Sequence, residues 1–199
     1  KPHRVTVLGD GGWGTALALV NTRKGNSTLL WSVFPEYVEQ LKTKRENTKF
    51  LPGVPLPKEL VISSDLNEAL SFGDLIILAI PTQFLRNVLH KVKAGDFKDK
   101  IFVSVSKGIE KKTSLRPSEI IHSILGENAP VVILSGPSHA EEVARNIPTL
   151  VVAASTNIQN AEKVQQALMD TYFRIYVQND VTGVELGGAL KNVIAIAAG

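Results

Sequence analysis

Two lysines stand where a charged amine could act on a bound molecule. Lys191 lies on a helical stripe with Val184, Gly188, Ala195 and Ala198, and is the only charge on it. Burial on such a face would pull the ammonium's pKa down, which suits proton transfer to an oxygen near neutral pH. The plain alternative is a lysine that snorkels its head into water. Gly187 and Gly188 cost helix stability and therefore predict a close approach to the backbone. Lys107 follows an apolar run at 101–105, between Ser106 and Gly108, where a strand would end. It is the one cation among three polar turns, the others being Pro81-Thr82-Gln83 and Gly136-Pro137-Ser138. Its alternative is an ordinary solvated lysine. Ser138 and Glu141 have the S-x-x-E spacing of a capping box, which accounts for that pair as a helix start. The exposed N–H groups of the same helix start would also suit an anion.

A second group of residues predicts what that molecule meets first. The β-branched run at 5–8 leads into Gly9, Gly11 and Gly14, and a helical pattern follows at once. This is the strand, glycine turn and helix of a dinucleotide-binding fingerprint. Gly9 allows the tight turn, Gly11 lets the backbone approach a pyrophosphate, and Gly14 lets helix and strand pack closely. The helix N-terminus offers unpaired N–H groups to the phosphates. In NAD enzymes a carboxylate about 20 residues further on takes the ribose 2′-hydroxyl. Here that place reads Trp31-Ser32-Val33-Phe34-Pro35-Glu36, with Glu36 too late. No arginine stands there either, which counts against NADP.

These groups need a scaffold that brings strand ends together. Strand patterns are expected at 27–31, 61–63, 74–80, 101–105, 131–134, 149–154 and 173–177. Helices are expected at 15–24, 35–45, after Asp65, and at 83–91, 138–145, 157–168 and from 181 on. Residues 47–57, with three prolines, read as a loop. The run at 74–80 is nearly all apolar, the mark of a strand buried on both faces of a parallel sheet. Strand and helix alternate throughout. The fold class is therefore α/β: a doubly wound, mostly parallel Rossmann-type sheet with helices on both faces. Ligands of such sheets bind beyond the carboxyl ends of the strands, where the polar turns fall.

Composition narrows the chemistry. With 199 residues, 44% hydrophobic and 21% charged, the chain can bury a core. A net charge of +3 without charge blocks argues against nucleic acid as a partner. No stretch reads as a signal peptide or membrane-inserting segment. There is no cysteine, which excludes disulfides and a thiolate nucleophile and is compatible with a reducing compartment. Histidines 3, 90, 122 and 139 lack metal-ligand spacing, so no metal site is expected.

Longer motifs add to this. Gly9-Asp10-Gly11-Gly12-Trp13-Gly14, Glu46-Asn47…Phe50-Leu51-Pro52-Gly53 and Val105-Ser106-Lys107-Gly108-Ile109-Glu110 are three of them. Ser135-Gly136-Pro137-Ser138-His139-Ala140-Glu141-Glu142-Val143 and Gly183-Val184-Glu185-Leu186-Gly187-Gly188-Ala189-Leu190-Lys191-Asn192 are the others. Together they resemble the NAD(P)-dependent glycerol-3-phosphate dehydrogenases. The resemblance implies reversible hydride transfer between the cofactor and dihydroxyacetone phosphate, giving sn-glycerol 3-phosphate for phospholipid synthesis. It implies Lys191 as proton donor and acceptor with Asn192 beside it. Lys107 would touch both substrate and cofactor, and Gly136 and Ser138 the substrate. Gly9, Gly11, Gly12, Trp13, Gly14, Phe34, Phe50, Phe84 and Ala140 would line the cofactor. Where bacterial members often carry an arginine pair, this chain has Val33 and Phe34, so NAD is expected, with NADP as the alternative.

The resemblance also implies a cytoplasmic enzyme whose partner is a small phosphate substrate. Residues 1–180 would be the dinucleotide-binding domain and 181–199 the first helix of an all-helical substrate domain. That domain would supply an arginine for the phosphate, an acidic partner for Lys191, and a surface for a homodimer. The chain begins without methionine and stops inside that helix, which reads as a fragment. Two readings follow: the cofactor half of a dehydrogenase, or a cofactor-binding module without turnover. A sugar-nucleotide dehydrogenase would need a cysteine.

Overall fold

Alternate residues of the central strands point into two different cores. The computed structural model of the chain describes residues 2–92 and 99–199. In β1 (Arg4–Leu8), Val5 and Val7 enter one apolar cluster and Leu8 the other. The side-chain period of two therefore forces an unbroken apolar run when helices cover both faces. From β1 the chain passes through the glycine turn into α1 (Gly12–Arg23), then β2 (Ser27–Trp31) and α2 (Pro35–Lys44). A short hairpin of β3 (Glu46–Asn47) and β4 (Leu51–Pro55) leads to β5 (Val61–Ser63), α3 (Leu66–Phe72), β6 (Leu75–Leu78) and α4 (Thr82–Leu89). Then come β7 (Ile101–Ser104), α5 (Pro117–Leu125), β8 (Val131–Ser135), α6 (Ala140–Ala144) and β9 (Thr149–Ala154). The chain ends with α7 (Ile158–Leu168), β10 (Phe173–Gln178) and α8 (Val181–Ala198). On β6, Leu75 and Ile77 belong to the first cluster, Ile76 and Leu78 to the second, repeating the pattern of β1.

The main sheet has the order β10-β9-β8-β7-β6-β1-β2-β5. Its first six strands in chain order after the hairpin is set aside run parallel, with β1 beside both β2 and β6. This is the doubly wound order, which opens a crevice beside β1 at the carboxyl ends of the strands. β9 pairs antiparallel with β8, and β10 runs parallel to β9, so the sheet is mostly but not wholly parallel.

Three expectations need correcting. Residues 47–57 are not a plain loop, because Asn47 pairs with Leu51 and Glu46 with Pro55 in the hairpin. The helix α5 lies between the expected strands at 101–105 and 131–134, where no helix is expected. Pro117 opens it, Glu119 accepts the Arg116 N–H at 2.8 Å, and Ile120 and Ile121 are buried. The capping box at Ser138 and Glu141 does not form. α6 begins only at Ala140, so Ser138 lies outside it and its hydroxyl donates to the Gly136 carbonyl at 3.4 Å. Asp65, by contrast, caps α3 as expected, accepting the N–H groups of Asn67 and Glu68 at 2.8 and 3.2 Å.

Among the described residues α8 alone is long and apolar enough to cross a membrane, with a mean hydropathy of 1.3. Its one acid, Glu185, is buried against Arg116, and Gly188 abuts Ser135, so the helix docks on the sheet.

Candidate functional site

The glycine turn separates glycines that the chain needs from one that it does not. Gly9 has φ of +119°, and a Cβ there would stand 2.3 Å from the Ala79 carbonyl oxygen. A Cβ on Gly14 would stand 2.0 Å from the Gly9 carbonyl oxygen, and one on Gly12 2.7 Å from that of Phe50. These are backbone atoms that cannot give way. At Gly11 a Cβ would meet nothing within 4 Å. The space before Gly11 is therefore open at the N-terminus of α1, where helix N–H groups favour an anion. Asn47 holds the turn from outside. Its Nδ2 donates to the Asp10 carbonyl and to Thr15 Oγ1, both at 2.7 Å, while its Oδ1 accepts Tyr37 O–H at 2.6 Å.

A cavity of about 490 Å³ opens from this turn. Gly9, Asp10 and Gly11 form one side, and Val33, Phe34, Phe50 and Phe84 form apolar walls. Phe34 and Phe84 are each 60% exposed, which is costly for a phenyl ring unless something covers it. The expected cofactor residues Gly9, Gly11, Phe34, Phe50 and Phe84 thus share one cavity.

Two smaller cavities adjoin the ends of β7 and β8. One, of about 300 Å³, is lined by Trp13, Ser106, Lys107, Ser138 and Ala140. The other, of about 310 Å³, is lined by Ser135, Gly136, Gly187, Gly188 and Lys191. Lys107 links them. Its Nζ donates to the Gly136 carbonyl at 3.4 Å, and its own carbonyl accepts Thr82 O–H at 2.8 Å. Trp13 stacks at a tilt on Phe173, 6.3 Å between centroids, and its buried indole N–H has no partner among the described residues. A buried donor left unpaired is costly, and a ligand acceptor in this cavity would satisfy it.

The two lysines stand in different surroundings. Lys191 is only half-buried, and Ala195 and Ala198 on its stripe are exposed, so no apolar face closes over it. Lys107 is the amine held below its usual pKa, first by burial and then by the positive charge of Lys191. Gly188 does permit a close approach, but by the sheet: a Cβ there would stand 2.7 Å from Ser135 Oγ and 3.8 Å from Lys107 Cγ. Gly187 faces open space. Asn192 is exposed and lines neither cavity.

The anchor of α8 has no counterpart in the sequence reading. Glu185 accepts from the Ser118 N–H at 2.8 Å, Ser118 Oγ at 2.7 Å and Arg116 Nη1 at 2.9 Å. Burial raises its pKa, against the lowering effect of these donors. Its signal was available, since Glu185 is the only acid in α8.

Residues 4–161 match the family model described as the N-terminus of NAD-dependent glycerol-3-phosphate dehydrogenase. The chain belongs to this family. Over 198 residues it is 44% identical to a glycerol-3-phosphate dehydrogenase [NAD(P)+] of Syntrophomonas wolfei, covering 98% of this chain and 58% of that protein. To the enzyme of that name in Bacillus velezensis it is 47% identical, covering 98% and 57%. The solved structure of glycerol-3-phosphate dehydrogenase from Coxiella burnetii superimposes with a TM-score of 0.89 at 36% identity, covering 98% of this chain and 60% of that one. The chain therefore spans about three fifths of the length of these family members. The open position before Gly11, the aromatic walls and the unpaired Trp13 N–H all fit a dinucleotide, as an NAD-dependent family requires.

Proposed function

We propose that this chain is the cofactor-binding part of a glycerol-3-phosphate dehydrogenase. Its task is to hold NAD(H), with NADP(H) as the weaker ligand, against a three-carbon phosphate substrate. Gly11 carries this reading: its lack of a side chain answers no need of the fold, so it answers a ligand. The N–H groups at the start of α1 take the pyrophosphate, and Gly9, Gly12 and Gly14 hold that turn. Phe34, Phe50 and Phe84 cover the adenosine half. Trp13, Lys107 and Ala140 face the other half.

When bound, the nicotinamide supplies or accepts the hydride. The chain's own residues manage charge and protons. Lys107 and the Gly136–Ser138 turn hold the substrate in its ground state. Lys191 donates a proton from Nζ to the carbonyl oxygen of dihydroxyacetone phosphate as negative charge builds there, and takes it back in the reverse direction. Asn192 sits beside it and is assigned to the same step on the family's pattern alone. We take residues 1–180 as the dinucleotide-binding domain and 181–199 as the start of a helical substrate domain, because α8 follows the last strand and every residue of it beyond Lys191 is exposed. On this reading the enzyme feeds phospholipid synthesis in the cytoplasm, which suits a chain without cysteine, and pairs through the helical domain.

The exposure of Lys191 favours a second reading for the 199 residues by themselves, a module that binds NADH without turnover. NADH oxidation with dihydroxyacetone phosphate, run beside a fluorescence titration with NADH, separates the two. The shared claim is tested by Gly11→Val. The variant should fold as the wild type does and bind NADH at least ten-fold more weakly, about 1.4 kcal/mol. Wild-type affinity in the folded variant would mean that the turn is not the phosphate cradle.

A further inference from the structure

We propose that Asp10, between the first two glycines of the turn, is the carboxylate that receives the adenosine ribose and selects an unphosphorylated 2′-hydroxyl. The inference rests on the reading of the large cavity as the dinucleotide site and names its specificity device. The end of β2, where such a carboxylate ordinarily stands, has none. β1 and β2 are parallel neighbours with Leu8 opposite Trp31, and the Gly9 N–H donates to the Trp31 carbonyl at 3.0 Å. The turn after β1 is thereby carried to the end of β2, and Asp10 arrives beside Ser32.

The carboxylate is fixed there. Ser32 Oγ donates to Asp10 Oδ2 at 2.9 Å and accepts the Phe34 N–H at 3.2 Å. Ser32 is fully buried and Asp10 only 8% exposed, yet Asp10 lines the cavity beside Gly11 and Phe34. Apart from its own backbone N–H, Ser32 is the only hydrogen-bond partner of this carboxylate among the described residues, and none of their ion pairs includes it. A carboxylate withdrawn from water with so few donors is a burden on the fold that further donors would relieve. A ribose diol brings two O–H donors to that place. A 2′-phosphate brings negative charge against a desolvated negative charge, and is repelled. Two cations border the site without pairing with Asp10: Lys49, which lies 4.9 Å from the Phe50 ring centroid and whose charge acts on Asp10, and Lys91 in the cavity wall.

The test is a set of titrations at fixed ionic strength on the 199-residue chain, with folding checked by circular dichroism. NADH and NADPH are the primary probes; ADP and 2′,5′-ADP, as competitors, isolate the adenosine half. The wild type should bind NADH about ten-fold or more tightly than NADPH. Asp10→Asn, which keeps the shape, should narrow that ratio at least ten-fold, with 2′,5′-ADP gaining most. Ser32→Ala frees the carboxylate but keeps its charge. It should weaken NADH and ADP several-fold while 2′,5′-ADP stays excluded, and it serves if Asp10→Asn does not fold. An unchanged ratio in folded Asp10→Asn, or unchanged NADH affinity in Ser32→Ala, overturns the proposal. So does a wild-type preference for NADPH that vanishes in Lys49→Ala. No NADH binding by the wild type would instead sink the reading of the cavity, and this proposal with it.

Discussion

α1 and α8 each present a group to the cavities, but they are held in opposite ways. From Gly14 to Asn21 every residue of α1 is buried, and the helix is wedged against the sheet by contacts too close for a side chain. In the 18 residues of α8 only Glu185 is buried, while Leu190, Val193, Ile194 and Ile196 are exposed. The end of α1 proposed to meet phosphate is therefore built in advance by the core. Lys191, the proposed proton donor, stands on a helix held by the Glu185 anchor, the Gly188 contact and the packing of Val181 and Val184 against one core cluster. Binding and proton transfer should accordingly fail separately when the chain is altered.

The strongest way to break that contrast is Lys191→Ala in a chain extended to the length of its family members. Turnover should fall by about 10²–10⁴-fold, mostly in kcat, with NADH affinity unchanged, because the lysine matters most when charge builds on oxygen. If kcat stays within a few-fold of the wild type, Lys191 is a residue reaching for water and the proton comes from elsewhere.

The anchor comes next. Glu185→Ala leaves Arg116 and Ser118 without their shared acceptor and should lower stability by about 2–3 kcal/mol in urea unfolding. A loss below about 0.5 kcal/mol would mean that α8 docks through Gly188, Val181 and Val184 without need of the anchor. Glu185→Gln adds a pH signature. The carboxyl's pKa is raised above 4.5 in the folded chain, so its cost is absent in acid and develops as pH climbs from 4.5 through the raised value. The glutamine variant should lack that decline.

The smallest effect sharpens the contrast at the junction of the two regions. Lys107 is held below the ordinary lysine value of 10.5, so its charged form burdens the fold at neutral pH and the burden lifts as pH rises through the folded value. Inorganic phosphate should bind more weakly over the same rise. Lys191→Met removes one cause of the shift, so the Lys107 pKa should rise, and phosphate affinity at neutral pH should change by about two- to five-fold. NMR of 13C-methylated lysines reads this directly, and an unmoved Lys107 signal would show that the two amines do not share a site.

Elements with a strong apolar signature were legible. The run at 75–78, buried on both faces, announced its strand, and Asp65 announced the start of α3. Elements held by side chains were not. The β3–β4 hairpin lacks alternation and is fastened by Asn47, whose bonds to Asp10, Thr15 and Tyr37 no local pattern foretells. α5 does carry a stripe, with Pro117, Ile120 and Ile121 buried and Ile124 and Leu125 packed on the same cluster, but at nine residues it is short for a helical pattern. Periodicity correctly placed Lys191 and Val184 on one face, but a stripe says nothing about whether anything covers it. Lys107, where the β7 end and α8 converge, is an amine that burial and a neighbouring charge hold below its usual value, and no local pattern points to it. Nothing local singles out Asp10, because the glycine spacing says nothing about the residues between.

Arg23, in the last turn of α1, donates to the Ala144 and Val143 carbonyls of α6 at 2.9 and 3.1 Å. At the other end a Cβ on Gly12 would stand 3.4 Å from the Ala140 Cβ, so α6 is clipped to α1 along its whole length. Five residues of helix cannot keep a shape unaided, and α6 takes its position from its neighbour. A dinucleotide that stiffens α1 thus stiffens the platform after Ser138 as well. Thermodynamic reciprocity makes the effect mutual: whatever the first ligand adds to the grip on the second, the second adds to the grip on the first. In kinetic language, each ligand, once bound, would lengthen the stay of the other, and neither gains a claim to arrive first.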